Sequence, residues 1–185
     1  IVSRLVKAKG FELVHRVLDE MMAEGAQLAV LGSGEPQQED FFRDAAQRYP
    51  GRVAVHIGYD DTLARRIYAG SDLLLMPSQK EPCGISQLIA MRYGCIPLVR
   101  EIGGLVDTVE TFNPETYEGT GFSFTNYNAH DMLHVIKLAC SIFQDKKRWT
   151  LLMKSAMKAD HSWKTSAKDY VALYSRIIKE DFHVS

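Results

Sequence analysis

Apolar residues along this chain alternate between short unbroken runs and longer stretches in which they recur every three or four positions. The short runs, AQLAVLG (26–32), VAVHIG (53–58), DLLLMP (72–77), IPLV (96–99) and GFSF (121–124), predict buried β-strands. The stretches between them predict helices over about 10–24, 37–48, 61–69, 86–93 and 104–110. Solid apolar strands alternating with amphipathic helices predict an α/β fold, a Rossmann-like parallel sheet with helices on both faces. The opening IVS reads as the end of one more strand. Past Gly121 the alternation stops, and three helices are expected near 128–143, 146–159 and 164–180, with Trp149 and Trp163 as packing anchors. The last helix gathers Tyr170, Leu173, Tyr174 and Ile177 on one stripe, which needs a surface to cover it. No repeat, low-complexity stretch or linker interrupts the pattern, so residues 1–185 read as one domain.

Composition narrows the function classes. An apolar fraction of 46% with 24% charged residues fits an ordinary globular domain and excludes a disordered chain. The net charge of −1 supplies no global field for nucleic acid or an anionic membrane, so any anion site must be built locally. No apolar run approaches the roughly 18–20 residues that span a bilayer, and no signal-peptide pattern opens the chain. Cys83, Cys95 and Cys140 are odd in number and widely spaced, which predicts free thiols in a reducing compartment. Cys95 and Cys140 sit among apolar residues and read as small core hydrophobes.

In an open parallel sheet, ligands bind beyond the carboxyl ends of the strands, so the five strand-to-helix loops are the places to search. The first, SRLVKAKG, carries Arg4, Lys7 and Lys9 into a helix start near Lys9 or Gly10. Cations at the positive end of a helix dipole cost roughly 0.3–1 kcal/mol each unless an anion joins them. The loop is thus either a phosphate site or a solvated basic turn. The second, LGSGEP, lacks the third glycine of a dinucleotide fingerprint; its two glycines serve a tight turn or the close backbone approach of a ligand. In the third, Tyr59 either stacks on a nucleobase or packs on the next helix. In the fourth, MPSQKEPCGIS, Pro82 holds Glu81 extended, Gly84 permits an unusual backbone angle, and Ser86 is placed to cap the helix that closes at Gly94. A carboxylate beside helix N-terminal amides suits a reaction in which an anion leaves a carbon bearing developing positive charge, the alternative being a surface acid in a turn. The fifth loop offers Gly103 and Gly104, whose amides either approach a ligand or simply turn the chain. HDMLH (130–134) imitates a zinc-protease helix, but with Asp in place of Glu and no third ligand it reads as a helix start with His130 exposed.

Taken together, SRLVKAKG, IGYDDTLARRIYAGSDLLLMPS, EPCG, SQLIAMRYGCIPLVR, GGLVDTV, GFSFTNYNAHDM and the terminal SW…AKDYVALY resemble the C-terminal half of glycogen and starch synthases, retaining glycosyltransferases of the GT-B fold. The resemblance covers essentially the whole chain. It implies transfer of glucose from ADP-glucose to the non-reducing end of an α-1,4-glucan with retention of configuration, and neither cofactor nor metal. It implies that Arg4 and Lys9 hold the donor's diphosphate and offset leaving-group charge. Tyr59 matches the position that stacks on adenine, and Glu81 the acid beside the transferred glucose. Cys83, Gly84, Ile85 and Ser86 match the loop and helix start that meet sugar and phosphate through backbone amides. Gln79-Lys80 replace a common aromatic, Ile85-Ser86 a more usual Leu-Thr, and Ile89 stands where many related transferases carry a second glutamate.

The resemblance also implies an N-terminal GT-B domain, absent from this sequence, that brings the acceptor surface and packs against the helix at 164–180. By itself the chain is expected to bind ADP or ADP-glucose weakly without turnover. A bacterial cytoplasm, or a plastid if the source is a plant, is the expected setting. Two other readings stay open: another sugar-nucleotide enzyme of the same architecture, such as a sucrose-type transferase or an epimerase, and a non-catalytic nucleotide- or glucan-binding module.

Overall fold

A computed structural model describes residues 1–181 of the chain, with side chains through residue 178. The predicted strands form, most of them trimmed at their ends: β1 (Leu28–Gly32), β2 (Val53–Ile57), β3 (Leu73–Met76), β4 (Ile96–Arg100) and β5 (Phe122–Phe124). The helices follow the predicted alternation as α1 (Phe11–Ala23), α2 (Pro36–Arg48), α3 (Asp61–Gly70), α4 (Ser86–Tyr93) and α5 (Gly104–Thr108). The closing helices are α6 (Ala129–Gln144), α7 (Lys146–Lys158) and α8 (Trp163–Asp181). Asn128 and Asp145 cap α6 and α7 by accepting first-turn amides, which is where Asn and Asp are strongest. Among the described residues no helix is long and apolar enough to cross a membrane.

All strand pairs are parallel, as the solid apolar runs required. The expected single sheet is hydrogen-bonded as two ladders, β1-β2 and β3-β4-β5. The opening segment runs along β1, where Ser3 N–H donates to Leu31 O at 3.0 Å and Leu5 N–H to Ser33 O at 2.9 Å. Val2 packs into a cluster with Tyr68 of α3 and Leu74 of the other ladder. Gly32 and Gly34 make this seam. A Cβ on Gly32 would lie 1.8 Å from the Ser3 carbonyl oxygen, and one on Gly34 2.2 Å from that of Leu5. The two glycines, read as a tight turn or as room for a ligand, admit the chain's own backbone instead.

The main core joins Phe11, Val14, Leu18 and Met21 of α1 to Leu98, Phe122, Met132 and Ile136. Trp149, 4% exposed, anchors α7 as expected, stacked on Phe122 and edge-on to Phe143. Trp163 does not anchor anything: it is 84% exposed. It belongs to α8, whose Tyr170, Leu173, Tyr174 and Ile177 are also exposed, left uncovered by the described residues.

Gly32→Ala should lower stability by about 3 kcal/mol or more, because a backbone carbonyl must move. Gly51 has positive φ, 74°, but open space around it, and its change to Ala should cost only about 1–2 kcal/mol. Denaturant midpoints of the two variants check the contrast, and equal losses would contradict it. His15 stacks on Phe41 with ring centroids 3.5 Å apart, and burial lowers its pKa. The unfolded chain takes up that proton near pH ~6.5 and the folded site only below it, so this contribution is full above pH ~6.5 and drains as pH falls. His15→Gln should therefore lose less thermal stability than wild type between pH 7.5 and 5.5; parallel losses would clear His15.

Candidate functional site

Three loops meet at the carboxyl ends of the strands. After Leu5 the chain makes one 3₁₀ turn, Lys7–Lys9, ended by Gly10 at φ 73°, which also opens α1. Gly10 lies flat on the β3–α4 loop; a Cβ there would be 2.0 Å from the Pro77 carbonyl oxygen. Next to it, the amides of Gln79 and Lys80 both donate to Ala8 O, at 2.9 and 3.0 Å. These contacts bring Lys9 Nζ to 2.5 Å from Glu81 Oε2. Ser78 Oγ donates to the same oxygen at 3.3 Å.

The carboxylate is not the projecting loop acid expected from Pro82. It is 8% exposed and the lysine side chain 19%, because a charge folded inward survives only beside an opposite charge. Ser3, Lys9, Ser78 and Ser86 line one small cleft at this point.

Beyond Glu81 the chain presents amides. Gly84 takes φ 79°, and α4 begins at Ser86. Ser86 does not cap the helix: Ile85 occupies the N-cap position, and no side chain accepts from the first turn. Among the described residues, the N–H groups of Cys83, Gly84, Ile85 and Ser86 have no acceptor. Their direction is set by Gln87, fully buried, whose Nε2 donates to Cys83 O at 3.4 Å, Gly84 O at 3.1 Å and Thr108 Oγ1 at 3.1 Å. In a trans peptide the N–H points opposite the carbonyl, so drawing these two carbonyls inward turns the Gly84 and Ile85 amides outward. Sequence reading missed Gln87. Its one signal was an amide side chain three residues past a glycine, too common to single out.

Gly103 and Gly104 act from behind. Gly103 adopts φ 51° and ψ −137°, with the place of its Cβ 1.9 Å from Glu81 O; the corresponding place at Gly104 is 2.2 Å from Cys83 O. The Gly104 amide is bound to Pro82 O at 3.2 Å, so it braces the acid-bearing loop and is not free for a ligand. Arg4 is exposed and forms no ion pair among the described residues. Tyr59, 91% exposed past the end of β2, does not pack on the next helix and touches neither Lys9 nor Glu81. The cavity of about 540 Å³ lies at the opposite ends of the strands, among Arg52, Asp72, Cys140 and Trp149, remote from this chemistry. His130 and His134 are exposed, and no group of three or more His, Cys, Asp or Glu poised to hold a metal occurs among the described residues.

An acid paired with a lysine, flanked by outward amides on a helix start, is an arrangement for holding an anionic group beside a reacting carbon. Known proteins contain similar stretches of chain. A glycogen synthase of Anoxybacillus flavithermus is 53% identical over 96% of it, and one of Geobacillus thermodenitrificans 52% over 99%. The chain spans 37% and 38% of the length of those two proteins. The catalytic domain of starch synthase IV from Arabidopsis thaliana, solved with ADP and acarbose bound, superposes with a TM-score of 0.83 at 35% identity, covering 95% of this chain and 37% of that one. The family model described as glycosyl transferases group 1 matches residues 1–150, and the chain belongs to that family.

Proposed function

We propose that this chain is the donor-binding half of a glycogen or starch synthase, which transfers glucose from ADP-glucose to the non-reducing end of an α-1,4-glucan with retention. The observation that carries the reading is the Lys9–Glu81 pair at 2.5 Å beside the unpaired amides of residues 83–86. Similarity to glycogen synthases along nearly the whole chain supports it, as does the ADP in the starch synthase IV structure.

Breaking the glucosyl–phosphate bond sends the electron pair to the nucleotide while the anomeric carbon becomes oxocarbenium-like. An ammonium has three donors, so Lys9 can keep Glu81 and take a phosphate oxygen together. The outward amides of Gly84 and Ile85 and the first turn of α4 take further phosphate oxygens, placed before charge develops. Glu81 orients the sugar and faces the developing positive charge. Arg4 adds a second cation to the diphosphate, and Tyr59 offers its exposed ring to the adenine. In this reading the reaction uses no metal, the charge of ADP being met by side chains and amides.

The bare stripe of α8, Tyr170, Leu173, Tyr174 and Ile177, is the surface we assign to the N-terminal domain that brings the acceptor glucan. Cys83, Cys95 and Cys140 are unpaired, in keeping with a reducing compartment such as a bacterial cytoplasm or a plastid.

In the complete protein, calorimetric titration should show ADP-glucose binding more tightly than UDP-glucose, with glucan primers lengthened from the non-reducing end. Absence of extension with either donor would refute the reading. Lys9→Ala and Arg4→Ala should each lower turnover by about 10²–10³. Glu81→Ala should abolish turnover while the thermal midpoint stays near wild type, since Lys9, freed of its partner, can turn to solvent. Near-normal rates in these variants would remove the residues from the mechanism.

A further inference from the structure

Lys9 and Glu81 are 72 positions apart in sequence, and neither lies in a strand or an α-helix, so something must fix their separation. The backbone shows what does. The Ser78–Gln79 peptide unit has its N–H bonded to Ala8 O, and so has the Gln79–Lys80 unit. Both carbonyls of the same two units, Ser78 O and Gln79 O, accept from Arg100 Nη1 at 3.2 Å each. Each peptide plane is thus held at both ends. Ala8 lies on one side and Arg100 on the other. Ala8 immediately precedes Lys9, and Lys80 immediately precedes Glu81, so the clamp closes directly on the two charged residues.

The guanidinium is itself braced. Nε donates to Thr125 O at 3.3 Å, and the guanidinium carbon lies 5.2 Å from the centre of the Tyr127 ring. The Tyr127 hydroxyl donates to Glu12 Oε1 at 2.5 Å, and Glu12 stands in the first turn of α1, just past Gly10. A Cβ on Gly10 would come within 3.2 Å of the Tyr127 ring. Burial, and then the Glu12 carboxylate, raise the Tyr127 pKa, which keeps the phenol protonated as a donor. Arg100 forms no ion pair with a carboxylate among the described residues, and its charge rests on three neutral carbonyls and a ring. Only a planar fork can reach three carbonyls and stack as well; a lysine ammonium offers a single point.

We propose that Arg100 is a positioning residue for glucosyl transfer, setting the distance between Lys9 and Glu81 by clamping the peptide units at 78–80, with Tyr127 and Glu12 bracing its guanidinium. The proposal rests on the reading of the Lys9–Glu81 site as the donor site. Misplacing reacting groups by about 1 Å costs on the order of 10²-fold in rate, so loss of the clamp is felt in chemistry more than in binding.

The test uses the complete protein with Arg100→Gln, Arg100→Lys and Tyr127→Phe, read by steady-state kinetics on ADP-glucose, thermal unfolding and amide hydrogen exchange. Arg100→Gln should lower kcat by about 10- to 100-fold with KM for the donor changed less than about threefold. Arg100→Lys should recover no more than a small part of that loss. Tyr127→Phe, the milder change, should lower kcat by about threefold to tenfold. Exchange should rise at the Gln79 and Lys80 amides and stay unchanged in α4 and β4. A kcat within twofold of wild type in Arg100→Gln overturns the proposal. So does faster exchange spread evenly over the chain, which marks a merely structural residue. Should Arg100→Gln fail to fold, Tyr127→Phe decides on the same criteria. If the wild-type protein transfers no glucose, the donor-site reading fails by itself. Exchange at the Gln79 and Lys80 amides then still decides the clamp: protection lost in Arg100→Gln supports it, and protection unchanged overturns it.

Discussion

The site depends on backbone packing against backbone at distances that no side chain would allow. At Gly10, Gly103 and Gly104 the place of a Cβ is already taken, by the carbonyl oxygens of Pro77, Glu81 and Cys83 at 2.0, 1.9 and 2.2 Å. Each contact joins the loop after β3 to a neighbouring loop, one in front and one behind. A loop held in this way has little freedom to fluctuate, which is what a preorganised charge site needs: its dipoles must be aimed before the reaction asks for them. The cost is conformational, because glycine loses more freedom on folding than other residues, and the remaining hydrogen bonds of the loop offset it.

Electrostatics then decide what such a rigid loop can carry. A carboxylate that is 8% exposed is tolerated because an ammonium lies 2.5 Å away and a hydroxyl completes its coordination. Buried pairs of this kind add little net stability compared with apolar packing, since desolvation consumes most of the attraction. Their value here lies in placement. The lysine follows the segment that runs along β1 and the acid follows β3, so the pair also records that both loops are correctly seated.

Much of the architecture was legible in the alternation of solid and periodic apolar stretches, since burial on two faces leaves an unmistakable run such as DLLLMP. Lys9 stood out as a cation at a helix start where stability alone would not place it, and Glu81 as an acid in the loop before α4. What could not be read was the identity of whatever fills the space beside a glycine. At Gly32, Gly34 and Gly104, read as turns or as places where a ligand approaches, the approaching group is the chain's own backbone. Gln87 and Arg100 stayed hidden for a related reason: each works through carbonyls distant in sequence, and backbone acceptors leave no trace in residue type. Trp163 misled because a large aromatic is a packing anchor only where a surface meets it, and α8 meets none among the described residues. The ligand roles proposed for Arg4 and Tyr59 rest on similarity, both side chains being exposed.

The unequal setting of the two tryptophans has an optical consequence. Trp149 is buried beside the cavity at the far ends of the strands, which no described residue of α8 lines, while Trp163 stands at the start of α8 with 84% of its surface in water. A fluorescence change that follows loss of water at α8 therefore belongs to the second. A domain settling onto α8 would strip water from that indole and move its emission toward the blue, giving closure a native reporter with no label attached.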